Sequence, residues 1–330
     1  MSKTIRGLLV SVAALGWLVG GPVEAKVTRY LTGSAADVSP PLYGPALNLG
    51  GGGPDVDAAI QWMIDQARGC TSCSAKVDVV VIRATGGNAY NAPIAAMQGV
   101  DSVETLVVPS RRDANTAEVD TVVRRAEVVF FAGGDQCTYV NAYAGTAVTR
   151  AVDAVWARGG VVGGTSAGAM VQGEHIYDAC NGSVYSDEAL ADPYNRYMSF
   201  RKDFFVWNVM DEVIVDTHFA QRDRMGRLMG FVARRIRDGY DPQVMGLGIN
   251  EGTSVVVDRT GLATVMGAGP AYFVLGTHAP ERCEPLQPLR YTNFRIWRVA
   301  AGGTFDLWTW PTSGYFLRTA DNGVISSNPY

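Results

Sequence analysis

Three times along this chain a short apolar run ends in glycines and a segment with helical spacing follows. Ala46-Leu47-Asn48-Leu49 runs into Gly50-Gly51-Gly52-Gly53, and Val56, Ile60, Met63, Ile64 and Ala67 recur behind it at helical intervals, with Pro54 suited to a first turn. Val128 to Phe131 ends at Gly133-Gly134. Val161-Val162 leads into Gly163-Gly164-Thr165-Ser166. Val77 to Ile82 and Val103 to Val108 are further β-branched runs of the kind buried on both faces of a parallel sheet. Helices are expected over 116–126, 146–157 and 223–236, and a strand over Val213 to Asp216. Strand and helix in alternation predict a doubly wound, mostly parallel sheet. Ligands bind such sheets beyond the carboxyl ends of the strands, where all three glycine clusters fall.

Beyond this rhythm the pattern changes. Residues 181–205 are polar and aromatic and read as a long loop over the crevice. Residues 246–257 and 263–275 read as strands, including an antiparallel pair at the edge. The tail from Arg290 alternates apolar and polar, as in a β appendage. One α/β domain over 26–330, with C-terminal strands from about residue 276, is expected from the 330 residues. A net charge of -4 gives no sign of a nucleic-acid partner.

Lys3 and Arg6 precede a nearly apolar stretch from Gly7 to Gly21, and small residues lie around Ala25. This predicts a signal peptide over 1–25, cleavage after Ala25, and a mature chain that is secreted or periplasmic and free of the membrane. Export bears on the five cysteines. Cys70 and Cys73 can close a small disulfide, and Cys180 and Cys283 a longer one, leaving Cys137 over. No second pair or histidine follows Cys70-x-x-Cys73 at zinc-site spacing, so no metal is expected.

Gly164-x-Ser166-x-Gly168 is the sharpest chemical signal. A serine held on a tight strand-to-helix turn exposes its hydroxyl, and glycines on both sides let the two elements approach. The Ala167 N–H is then placed for an oxyanion. Ser166 needs a base, and the chain has three histidines. His175 lies nine residues on, roughly 13 Å away if that segment is helical. His278 sits in a late loop, and is the base that an α/β-hydrolase esterase order would require. His218 follows the strand Val213 to Asp216 at the crevice and is preferred. Glu251, at another strand end, is the expected acid, with Asp216 the runner-up. Gly134 offers a second oxyanion N–H, Gln136 a hydrogen bond to substrate, and Asp135 a helix N-cap. Arg222, Arg224 and Arg227 follow His218. On a helix Arg222 and Arg224 would be about 200° apart, so at most one or two are expected to meet a substrate carboxylate.

Taken together, these segments resemble the cyanophycinase and dipeptidase E family of serine peptidases, whose fold is flavodoxin-like and shared with class I glutamine amidotransferases. The matching stretches are Gly-Gly-Asp-Gln at 133–136, Gly-Thr-Ser-Ala-Gly-Ala at 164–169, Asp-Thr-His-Phe-Ala-Gln-Arg-Asp-Arg-Met-Gly-Arg-Leu at 216–228 and Gly-Leu-Gly-Ile-Asn-Glu-Gly-Thr at 246–253. The resemblance implies Ser166 as nucleophile, His218 as base, Glu251 as its acid, and Ala167 and Gly134 as oxyanion donors. It implies Gln136, Asp216, Arg222, Arg224 and Arg227 in or beside the substrate pocket. It implies an exopeptidase that needs no cofactor, acts on cyanophycin or another acidic or isoaspartyl peptide, and forms a homodimer. Thr217 and Asn250 stand where cyanophycinases tend to carry Gln and Asp, differences that would shape the pocket.

Overall fold

A computed structural model describes residues 27–330. The expected signal peptide and its cleavage point lie outside the described residues. Among those residues no helix is long and apolar enough to cross a membrane.

Five parallel strands form the centre, in the spatial order Val100–Val107, Val77–Arg83, Val128–Phe131, Val161–Thr165 and Ala46–Gly50. Period-two alternation explains why both faces are apolar. Val79, Val81, Val128 and Phe130 pack with Ile60, Met63 and Ile64 of the helix Asp57–Arg68. Val80, Ile82, Val129 and Phe131 point the other way, toward the helices Ala117–Arg125, Gln136–Tyr143 and Ala147–Ala157. Helices therefore cover both faces, the flavodoxin-like, doubly wound arrangement. Thr28–Gly33 closes one edge in the antiparallel sense, and Thr253–Val257, Leu262–Gly267 and Thr304–Asp306 extend the other.

The remaining strands belong to a second sheet. His175–Tyr177, Val213–Asp216 and Val244–Ile249 run parallel in it. Ala271–Gly276, Tyr291–Val299, Phe316–Asp321 and Val324–Ile325 continue it antiparallel as the C-terminal appendage, and Phe200–Lys202 borders the opposite edge. The helix Met225–Arg237 packs on this sheet around a separate apolar cluster that includes Leu228, Phe231 and Val232.

Several expectations change. Residues 246–257 and 263–275 are each two strands rather than one, and the turn at 250–252 carries the chain from the second sheet to the first. The stretch 181–205 is not one loop: it holds the helix Ser186–Ala191 and the strand Phe200–Lys202. The helix after Ser166 ends at Met170, so His175 lies on a strand, fully buried. The disulfides are Cys70–Cys73 and Cys137–Cys180. Cys180 thus pairs with Cys137 and not with Cys283, which is the buried free thiol in the second apolar cluster.

Candidate active site

Ser166 takes φ 54° and ψ −122°, a backbone conformation that L-residues rarely adopt and that must be held by its surroundings. Its N–H donates to the Gly50 carbonyl at 2.9 Å, and its own carbonyl accepts from Ala169 and Met170, each at 3.0 Å. The flanking glycines are required by space. A Cβ on Gly164 would lie 2.6 Å from the Gly168 oxygen, and one on Gly168 would lie 2.2 Å from the Phe131 oxygen. Ala167 opens the short helix Ala167–Met170, where the first N–H groups have no intrahelical acceptor.

His218 leaves the strand Val213–Asp216 at φ 49°. Its N–H donates to the Gly51 carbonyl at 2.7 Å, and Gly52 lies flat against the ring: a Cβ there would come within 2.4 Å of His218 Cε1. Glu251 sits in the turn between Val244–Ile249 and Thr253–Val257, its N–H donating to Gln221 Oε1 at 3.0 Å. The Gly50–Gly53 loop therefore backs both residues. That role was absent from the sequence reading, although the four consecutive glycines were its signal.

These elements bring Ser166 Oγ within 2.8 Å of His218 Nε2, and His218 Nδ1 within 2.6 Å of Glu251 Oε1. The network assigns the proton to Nδ1, donating to the carboxylate, and leaves Nε2 free to accept from the serine hydroxyl. Burial is the largest influence on His218 and lowers its pKa. Glu251 opposes this, the cations of Arg222 and Arg224 add to it, and the net direction is down. A neutral imidazole poised to take a proton from a hydroxyl is a general base. His278 is engaged elsewhere, with ring nitrogens 2.8 Å from the Ala279 oxygen and 2.9 Å from the Thr292 oxygen.

Beside Ser166 opens a pocket lined by Gly134, Gln136, Thr217, Ala179, Ser183 and the three arginines 222, 224 and 227. All three arginines reach it because this segment is not a regular helix. Ala220–Arg222 is a 3-10 turn, Asp223 adopts a left-handed conformation at φ 47°, and the helix begins only at Met225. Asp216 is fully buried and is not part of the lining. It accepts from Arg227 Nε at 2.7 Å and Nη2 at 2.5 Å, and lies 3.4 Å from Arg224 Nη1. Its charge therefore holds the arginines from below. Burial lowers the Arg224 pKa to about 10, still cationic at neutral pH. Asp135 is occupied as an N-cap, accepting from Cys137 N–H at 3.1 Å and Thr138 Oγ1 at 2.8 Å. Thr217, expected to shape the pocket, is in its lining, and Ser183 comes from the 181–205 stretch expected over the crevice. The Thr217 hydroxyl is buried with no hydrogen-bond partner among the described residues.

Glu174, His175 and Asp241 form another cluster of potential ligand atoms. The Lys202 ammonium already lies 2.9 Å from Glu174 and 3.7 Å from Asp241, and offsets part of the cluster's negative charge.

The model of peptidase family S51 matches residues 96–265, a little over half of the chain. Over 216 residues the chain is 31% identical to the cyanophycinase of Nostoc sp. (strain PCC 7120), covering 64% of this chain and 67% of that one. It is 28% identical over 215 residues to the cyanophycinase of Geminocystis herdmanii (strain PCC 6308), covering 63% and 72%. A crystal structure of a peptidase from an acI-B1 actinobacterium shares the fold, with a TM-score of 0.56 at 17% identity, over 81% of this chain and 98% of that one. An elbow serine on a doubly wound α/β fold, together with these matches, defines a serine-type peptidase. The chain belongs to peptidase family S51.

Proposed function

We propose that this protein is an exported exopeptidase that hydrolyses cyanophycin to β-Asp-Arg dipeptides through Ser166, His218 and Glu251. The observation that carries the mechanism is the unbroken hydrogen-bonded line from Ser166 Oγ through His218 to Glu251. His218 takes the Ser166 proton as Oγ attacks the scissile carbonyl. The Ala167 and Gly134 N–H groups receive the developing oxyanion. His218 then protonates the leaving amine, and water releases the acyl group by the reverse sequence. Glu251 holds the imidazole in the reactive tautomer. The likeness to cyanophycinases supports the substrate, and two disulfides suit an oxidising compartment.

One observation favours a second substrate. The pocket lining carries three guanidinium groups against one carboxylate, Asp135, with the buried carboxylate of Asp216 behind Arg224 and Arg227. The cationic excess that remains, led by the exposed Arg222, suits a substrate with a free carboxylate, such as an isoaspartyl peptide, at least as well as one carrying arginines. The test is dipeptide release from purified cyanophycin by the chain beginning at Lys26, with Ser166→Ala as control. Release of β-Asp-Arg that disappears in the variant is the expected result. A folded wild-type protein that releases nothing from cyanophycin but cleaves isoaspartyl dipeptides would replace the first substrate with the second.

A further inference from the structure

The pocket lies on a seam between two apolar clusters. One wall, Gly134 and Gln136, leads into the helix Gln136–Tyr143, whose Tyr139, Val140 and Tyr143 belong to the cluster around the central parallel sheet. An adjoining wall, Ala179 and Ser183, is flanked by Tyr177 and Val184 of the cluster around the second sheet. Cys137 directly follows Gln136, Cys180 directly follows Ala179, and the two are joined. Bonds within the second wall are Cys180 N–H to Asp178 Oδ1 at 2.9 Å, Gly182 N–H to the Ala179 oxygen at 2.9 Å and Tyr177 hydroxyl to the Gly182 oxygen at 3.1 Å. Asp178 N–H to the Ser199 oxygen, the Arg201–Asp178 pair and Asn181 Nδ2 to the Arg196 oxygen tie it to residues 196–201, and the disulfide is its covalent tie to the first wall. This wall also supports the cationic side, since Ser183 Oγ and the Val184 carbonyl each lie 3.3 Å from Arg227 Nη1.

We infer that the Cys137–Cys180 disulfide is a positioning element for substrate: it fixes the Ala179–Ser183 wall of the pocket against the Gly134–Gln136 wall. The inference rests on the site proposed above. Ser166, His218 and Glu251 are held independently, by the elbow and the Gly50–Gly53 loop. Loss of the bridge therefore loosens substrate binding and leaves the nucleophile's reactivity in place. The closed loop spans 43 residues and contains the elbow, so the bridge also restricts the unfolded chain, and the stability effect must be separated from the binding effect.

The experiment begins with the chain from Lys26 carrying Cys70→Ser and Cys73→Ser, in which the pocket bridge is the disulfide that remains. KM and kcat are measured with soluble cyanophycin, or with isoaspartyl dipeptides if cyanophycin is not turned over. Acylation of Ser166 is followed separately by the nitrophenol burst from p-nitrophenyl acetate, an ester without a carboxylate. Adding Cys137→Ser and Cys180→Ser is expected to raise KM about tenfold, with kcat within about twofold and the burst rate unchanged. A dithiol should do the same to the parent. It passes two electrons and two protons to the bridge, leaving two thiols on the protein and a cyclic disulfide on the reagent, and reoxidation should restore KM. An unchanged KM in a folded variant would overturn the positioning role alone. So would a burst rate that falls in step with peptide turnover, because the bridge would then support the whole fold. Peptide turnover that survives Ser166→Ala would instead overturn the site reading, and this inference with it.

Discussion

Ser166 and His218 both hold a positive φ, 54° and 49°, at the two ends of one hydrogen bond. Such conformations cost on the order of 1–3 kcal/mol each and persist only where neighbours fix them. Here the Gly50 and Gly51 carbonyls do so, each binding the N–H of one of the two residues. Ser166→Ala or His218→Ala is expected to lower kcat by roughly four orders of magnitude or more, with thermal stability nearly unchanged, as steady-state kinetics and a melting curve would show. The acid limb of kcat/KM should lie below the ordinary imidazole value of about 6.5, because burial lowers the His218 pKa. Protonation removes the base, so activity fails as pH falls through that depressed value. Glu251→Gln removes the group that opposes the shift. The limb should then move further toward acid while kcat drops on the order of a thousandfold. A limb at or above 6.5 in the wild type would contradict this reading.

At the scale of elements, the site depends on turns more than on strands or helices. Gly52 lies behind the imidazole at φ +86°, and an added Cβ would fall 2.4 Å from Cε1. Gly52→Ala should therefore push the ring off Ser166 and lower kcat about a hundredfold, with a circular dichroism spectrum like the wild type's. The elbow was legible in the sequence because glycine on both sides of a serine after a β-branched run has few other uses. His218 and Glu251 were legible as strand-end residues. Helical spacing gave no sign of the convergence of Arg222, Arg224 and Arg227, which only the family resemblance implied, because the segment is a 3-10 turn broken by the left-handed Asp223. The true partner of Cys180 was hidden for a different reason. Cys137 and Cys180 meet only because two helices and two strands between them fold the intervening chain back on itself, which cysteine spacing does not record.

For the whole molecule, alternation along the strands announced the doubly covered parallel sheet, but nothing in it announced that later strands form a second sheet. A run such as Val244–Ile249 reads the same whichever sheet receives it. Stability should also depend on a residue at the amino end of the strand Val128–Phe131, away from the elbow end. Glu127 is buried, accepting from the Asp78 N–H at 2.9 Å and lying 3.3 Å from Arg158, and burial raises its pKa to about 7. The folded state thus holds this proton more tightly than the unfolded chain, whose glutamate titrates near 4.3. The contribution is fully present below that value and is lost as pH rises through about 7. Melting temperatures should therefore decline between pH 5.5 and 8, and Glu127→Gln should flatten that decline. An equal decline in the variant would assign the effect to other groups.

Ser166 hangs from one sheet, His218 from the other, and Glu251 from the turn that passes between them. The reacting group is thus an alignment gauge for the two halves of the molecule. A slip of about 1 Å between them is enough to misplace proton transfer, whereas each sheet keeps its own hydrogen bonds through such a slip. In rising urea, catalysis should accordingly disappear well before the far-ultraviolet dichroism does, and the interval between the two midpoints would measure how firmly the halves are joined.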